Sequence, residues 1–161
     1  MLDSAIKINL LLVQYCRMLL DGIADERMTE QPLPGVNHPA WVLGHLALTT
    51  DNALGWLGAE KALPPEWAAL FGAGSKPTAS RGDYPAKEEL VRAVEQGFER
   101  VRQRVQAAPP EQLARPTTHP RMRETLPTVK DGVAFLLTGH LGVHLGQLST
   151  WRRMIGLPPL F

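Results

Sequence analysis

The sequence has a single cysteine, Cys16, so neither an intrachain disulfide nor a cysteine-cluster zinc site can form. So little cysteine suits a reducing compartment, and the cytoplasm is the expected location. An excess of charge of either sign is also missing. The 17 Lys and Arg residues nearly balance 16 Asp and Glu, for a formal net charge of +1, which leaves no electrostatic footprint for a nucleic-acid backbone. No apolar run reaches the roughly 18 residues of a membrane span. The apolar start, MLDSAIKINLLLVQYCRMLL, does not read as a signal peptide. Asp3 stands where a basic region belongs, Gln14 and Arg17 interrupt the rest, and no small-residue cleavage site follows. Strand-like alternation and internal repeats are lacking too. The expectation is a soluble protein without nucleic-acid or membrane partners.

What is present is a chain of 161 residues, 44% hydrophobic and 20% charged, enough apolar material for one core and one domain over 1–161. Pro and Gly collect at 32–39, 58–85, 109–120 and 156–159, and each interval between them can hold a helix. In the first, Ile6, Leu10 and Val13, and then Ile8, Leu12, Tyr15 and Leu19, recur at helical steps, which predicts a helix over 4–22. The second helix, 39–57, opens on Asn37 or His38 as cap with Pro39 in the first turn. Leu90, Val94, Phe98, Val101 and Val105 make one stripe of a third helix over 86–107. The fourth, 129–155, starts after Thr128, whose partner Asp131 reinforces the first turn, and stops at Gly156 and Pro158. Between 58 and 85 a short helix at Pro65–Phe71 precedes GAGSKPTASRGD, read as a mobile loop, with Trp67 and Phe71 as a lid or a small satellite core. Four such segments most simply make an all-α four-helix bundle.

His140 and His144 stand at i,i+4, about 40° apart around a helix axis, so both imidazoles leave one face. That face is apolar: Val133, Leu136, Leu137, His140, His144, Leu148, Trp151 and Ile155 continue one stripe. On the second helix Trp41, His45, Leu48, Asn52 and Trp56 share a face, which turns His45 inward as well. Three inward imidazoles suit zinc, nickel, copper or iron and leave a coordination position open, as catalytic sites do. The bland alternative is three hydrogen-bonded core histidines. Gln147 and Asn52 are candidates for orienting a ligand or touching substrate. His38 reads as a cap or surface residue at the helix start rather than a fourth ligand, and His119 as a loop residue. H-x-x-x-H without the Glu of H-E-x-x-H excludes a zincin-type protease.

These residues resemble a known family. NHPAWVLGHLA, from Asn37 to Ala47, and HLGVHLGQLSTWRRMIGLPP, from His140 to Pro159, are similar to the motifs of the DinB superfamily of four-helix-bundle, metal-binding proteins. Trp41 and His45 match its W-x-x-x-H, and His140, His144, Gly146, Gln147 and Leu148 match its H-x-x-x-H-x-G-Q-L; residues 60–130 carry no diagnostic motif. The resemblance implies a DinB-type bundle with a divalent metal, most often zinc or nickel, on His45, His140 and His144, with water completing the shell. The family includes thiol-dependent transferases and isomerases, among them bacillithiol transferases and mycothiol-dependent maleylpyruvate isomerase, and members with no assigned activity. Dimers are common in it. Despite the name it is unrelated to the translesion polymerases.

Two function classes follow. One is a metal-dependent S-transferase taking a low-molecular-weight thiol and an electrophilic substrate, which needs no nucleophile from the chain; Cys16 then only packs in the core. Its rival among enzymes is a metal-dependent hydrolase using activated water, for which Asp51, Asp131 and Glu124 offer no evident base. The other class is a non-enzymatic metal- or ligand-binding protein of a stress response. Arg121, Arg123, Arg152 and Arg153 are read as solvated surface rather than an anion site.

Overall fold

Helix ends fall where the breakers stand. The computed structural model, which describes residues 2–117 and 123–160, places α1 at Asp3–Leu20, α2 at Pro39–Trp56, α3 at Trp67–Phe71, α4 at Lys87–Ala107, α5 at Pro110–Leu113, α6 at Val129–Phe135 and α7 at Leu141–Met154. A π turn, Leu136–His140, joins α6 to α7. Thr128 and Asp131 form a reciprocal capping box at the start of α6. Past α7, Gly156 takes φ +84°, a left-handed conformation that ends the helix. No strand occurs among the described residues, only a bridge between Pro116 and Thr128. The chain is all-α, and no described helix is long and apolar enough to cross a membrane.

Side-chain contacts fix the topology. Lys87 Nζ, at the start of α4, donates to the carbonyls of Leu20 (2.9 Å) and Ile23 (2.5 Å) at the end of α1, while Arg102 further along reaches Asn9. These two helices are antiparallel. Asn9 bonds Leu137 near one end, and Arg152 bonds Leu19 and Asp21 near the other, so α1 and α7 run parallel. Thr50 of α2 packs on Gly97 of α4, and Arg100 donates to Glu60 just past the end of α2, so these two are also parallel. The bundle is therefore up-down-down-up, and the segment 57–86 is long because it must return the chain to the starting end of α2. At Gly97 a Cβ would lie 2.1 Å from Thr50 Oγ1, so only glycine permits this approach.

The core is built mainly on α2, which is buried nearly all round, and on the predicted stripe of α4, where Leu90, Val94, Phe98 and Val101 are each at most 2% exposed. Burying each of these contributes roughly 1.5–3 kcal/mol. Cys16 is buried, as expected for a packing residue.

Four expectations need correction. In α1 the buried positions are Asn9, Cys16, Leu19 and Leu20, whereas Ile8, Leu10 and Leu11 face outward at 46%, 52% and 65% exposure. Ile6, Leu12, Val13 and Tyr15 do pack against the core, and the polar Asn9 is buried among them with its amide bonded to Leu137 and Arg102. Arg152 is buried, with its guanidinium on the carbonyls of Leu19, Asp21 and Pro158, and so ties α7 to the end of α1; Arg123 and Arg153 are exposed, and Arg121 lies outside the described residues. Trp67 and Phe71 are neither lid nor satellite but part of the main core. The stretch read as a mobile loop is pinned. Trp41 Nε1 donates to Ser75 Oγ (2.8 Å), Thr29 Oγ1 to the Ala79 carbonyl (3.1 Å), and Arg81 to both carboxylate oxygens of Asp25.

His38 caps α2, accepting at Nδ1 from the Trp41 amide (3.2 Å) and donating from Nε2 to the Thr78 carbonyl (2.9 Å). It is fully buried rather than on the surface. This pattern needs the neutral ring, and burial pushes its pKa down to about 4. The sign follows: the unfolded chain takes up a proton below about pH 6.5 that folded His38 refuses. Its stabilisation is complete above that pH and is lost as pH falls toward 4. His38→Ala is expected to cost about 2 kcal/mol at pH 7.5. In urea denaturation, His38→Asn should keep part of the cap while flattening the loss of stability between pH 7.5 and 5 relative to the parent; parallel slopes would remove His38 as the titrating group.

Candidate metal centre

The site lies where α2 crosses the α6–α7 rod. Trp41 stacks on His45 with ring centroids 4.8 Å apart and planes 8° from parallel. Nearby Gly44 admits Phe71 so closely that a Cβ there would fall 2.2 Å from the phenyl ring. Phe71 is thereby held with its carbonyl on His45 Nδ1 (2.8 Å). A carbonyl only accepts, so Nδ1 carries the proton and Nε2 keeps its lone pair.

His140 and His144 come from the other side. The π turn inserts one residue into the helical repeat, as such turns often do at functional sites. Its effect on hydrogen bonding is specific: the Leu141 amide, which a regular α-helix would direct to Leu137, donates to Thr138. Asn9 Nδ2 takes the Leu137 carbonyl instead, at 2.9 Å, and Arg102 Nη1 donates to Asn9 Oδ1 at 2.5 Å. Asn9 is fully buried, so this side chain anchors the turn that carries His140. Gly139, in the same turn, lets Phe135 fold over it, where a Cβ would meet the ring at 2.9 Å.

The three imidazoles converge. Ring centroids are 5.3 Å apart for His45–His140, 4.8 Å for His45–His144 and 4.7 Å for His140–His144. One nitrogen from each lies within 4.8 Å of the others, so the trio could hold one metal ion. His144 Nδ1 donates to Gln147 Oε1 (3.1 Å), which also accepts from Asn37 Nδ2 (3.3 Å), so its Nε2 too is left with a lone pair. Burial depresses the His45 pKa, and it takes His144 to about 4, with neighbouring His45 adding to the effect. Neutral imidazoles oriented through Nδ1 are what a divalent cation requires, so the donor set fits one.

Gln147 therefore orients a histidine. If His144 is a ligand, Gln147→Leu is expected to weaken metal affinity about 10- to 100-fold in chelator competition with little change in helicity; an unchanged affinity would deny it that role. Asn52 does not touch the triad; it lines an adjoining cleft, and its Oδ1 accepts from Lys61 Nζ at 2.7 Å. His38 is spent on its cap, and His119 lies outside the described residues. Asp51 accepts from the Ala62 amide and Asp131 caps α6, so neither serves the triad. The Phe71 carbonyl and Asn9 are the parts that sequence reading missed. The one signal was a polar Asn9 among apolar residues of α1.

The cleft beside His45 and His140 has a volume of about 260 Å³ and is walled chiefly by Leu48, Trp56, Phe135 and Leu136. Burial raises the Cys16 thiol pKa to about 12, helped by Glu95, so this cysteine stays protonated in the core.

No curated protein matches the chain. The family model described as the DinB superfamily matches residues 13–148, a span containing His45 of α2, His140 of the π turn and His144 of α7, and on that match the chain belongs to the DinB superfamily.

Proposed function

We propose that this protein binds one divalent cation, zinc or nickel, through His45, His140 and His144, and uses it as a metal-dependent thiol S-transferase. The observation that carries the metal is the pair of Nδ1 bonds, to the Phe71 carbonyl and Gln147 Oε1, which turn lone pairs of two rings toward the third. The observation that favours thiol chemistry is the adjoining cleft, whose lining among the described residues holds no Asp, Glu, Lys or Arg. A hydrolase needs a base for the proton of water, and a transferase does not need one from the chain.

A divalent ion held there lowers the pKa of a thiol that binds it, making thiolate available at neutral pH. The chain's residues do the rest. Trp41 fixes the plane of His45 by stacking, and Gln147 fixes His144. Leu48, Trp56, Phe135 and Leu136 keep water from the electrophile and hold it against the histidines. The thiol proton passes to solvent, the sulfur lone pair forms the new C–S bond, and the leaving group departs with its electron pair. A small cytoplasmic thiol is the natural co-substrate of a chain whose own cysteine is buried. The same reading includes a homodimer through the parallel α1 and α7, which leave Ile8, Leu11, Val143 and Met154 exposed; light scattering should give twice the chain mass.

The test is a cobalt-substituted sample titrated with small thiols. The reading requires a sulfur-to-metal charge-transfer band that saturates and is absent in His144→Ala. Metal without any response to thiol would turn the assignment to hydrolysis, or to metal sequestration in a stress response.

A further inference from the structure

The cleft has a direction. His45 and Asn52 are seven residues apart on one face of α2, so the cleft extends about 10 Å along that helix, from the histidines at one end to Asn52 at the other. Its walls are mostly apolar and include the small residues Gly72, Ala73 and Gly132. The volume, about 260 Å³, compares with the roughly 150 Å³ that admits benzene in an engineered apolar cavity. One ring with a short substituent fills it.

Asn52 supplies the polar handle. Lysine can only donate, so the atom of Asn52 that meets Lys61 Nζ is its oxygen, and the two hydrogens of Nδ2 are the part left for a ligand. Among the described residues no carboxylate lines the cleft, and at this end Asn52 carries the Lys61 ammonium. Cations meet repulsion at both ends once a divalent ion is bound.

We propose that this cleft seats the electrophilic substrate, and that the substrate is neutral or anionic, about one ring in size, and carries a hydrogen-bond acceptor that reaches Asn52. The inference rests on the metal-centre and thiol-transfer reading for which end of the molecule reacts. Acetophenone, a ring with one carbonyl, is the probe, and phenyltrimethylammonium and toluene are the controls. In cobalt-loaded protein, proton relaxation of acetophenone should be enhanced by the metal, with toluene at least tenfold weaker in affinity and the cation without detectable binding. Asn52→Leu should bring acetophenone down to the level of toluene while leaving cobalt affinity unchanged. Gly132→Val, which adds methyl groups next to Trp56, should abolish binding of both neutral probes. Equal binding of all three probes, or of acetophenone to parent and Asn52→Leu, would overturn the proposal. A thiol charge-transfer band with no acetophenone relaxation rejects the cleft alone. Acetophenone relaxation with no thiol band rejects the thiol reading and leaves the cleft as the seat of another substrate.

Discussion

His45→Ala is expected to lose at least a hundredfold in metal affinity while keeping its helical circular-dichroism signal. Removing a residue that only orients a ligand already costs roughly 10- to 100-fold, and here the ligand itself goes. The helix survives because His45 sits on the cleft-facing side of α2, whereas the burial that holds α2 in place comes from Val42, Leu43, Leu46, Ala47 and Leu54 on its other sides, each at most 1% exposed. Alanine is also the best helix former. The deletion does leave the Phe71 carbonyl without its imidazole donor, at a cost of about 1–3 kcal/mol. Equilibrium dialysis with chelator-buffered zinc reads affinity, and thermal denaturation reads the fold. Retained stoichiometric zinc in the variant would mean that the metal sits elsewhere.

The second large effect is expected at Asn9, some distance from any ligand. Asn9→Leu strips two buried groups of their partner at once, the Leu137 carbonyl and the Arg102 guanidinium. Each orphaned group costs about 1–3 kcal/mol, the charged one at the upper end, so destabilisation of about 3–5 kcal/mol is expected. Arg102 keeps its exposed neighbour Glu99, which moderates the loss. Asn9→Asp separates the two roles. It retains the acceptor for Arg102 but cannot donate to Leu137, so the π turn loses its anchor while the hydrogen bond to Arg102 becomes an ion pair. The expected outcome is a smaller change in stability than for Asn9→Leu, together with a clear drop in metal affinity, because His140 belongs to that turn. Urea denaturation and zinc competition on both variants check this. If both variants bind zinc like the parent, the anchor has no bearing on the site.

That contrast also explains how far the sequence could be read. Helix positions were legible because Pro39, Gly156 and the Thr128–Asp131 pair act within one turn of chain. That His45 on one helix and His140 with His144 on another all turn inward was legible from i,i+4 spacing and from the apolar stripe of each helix, both local properties. The π turn was not. It breaks the helical repeat by one residue, and what supports it, Asn9 with Arg102, comes from two helices far away in sequence. In α1 the periodicity gave the helix, but it did not separate Ile6, Leu12, Val13, Tyr15 and Leu19, which pack on the core, from Ile8 and Leu10, which are exposed, or mark Asn9 as buried. The role of 72–83 escaped because Gly, Ser and Pro mark a loop without saying what its backbone touches. The His38–Thr78 and Trp41–Ser75 bonds hold that loop on the start of α2, next to the Phe71 carbonyl that orients His45.

The central claim, one divalent ion on three neutral imidazoles, is tested most directly by elemental analysis of untagged protein combined with X-ray absorption at the edge of the metal found. The account predicts about one zinc or nickel per chain with a first shell of three histidine nitrogens, one of which disappears in His140→Ala. A metal-free protein that also fails to take up zinc or nickel on reconstitution would contradict it, as would an ion whose shell contains no imidazole.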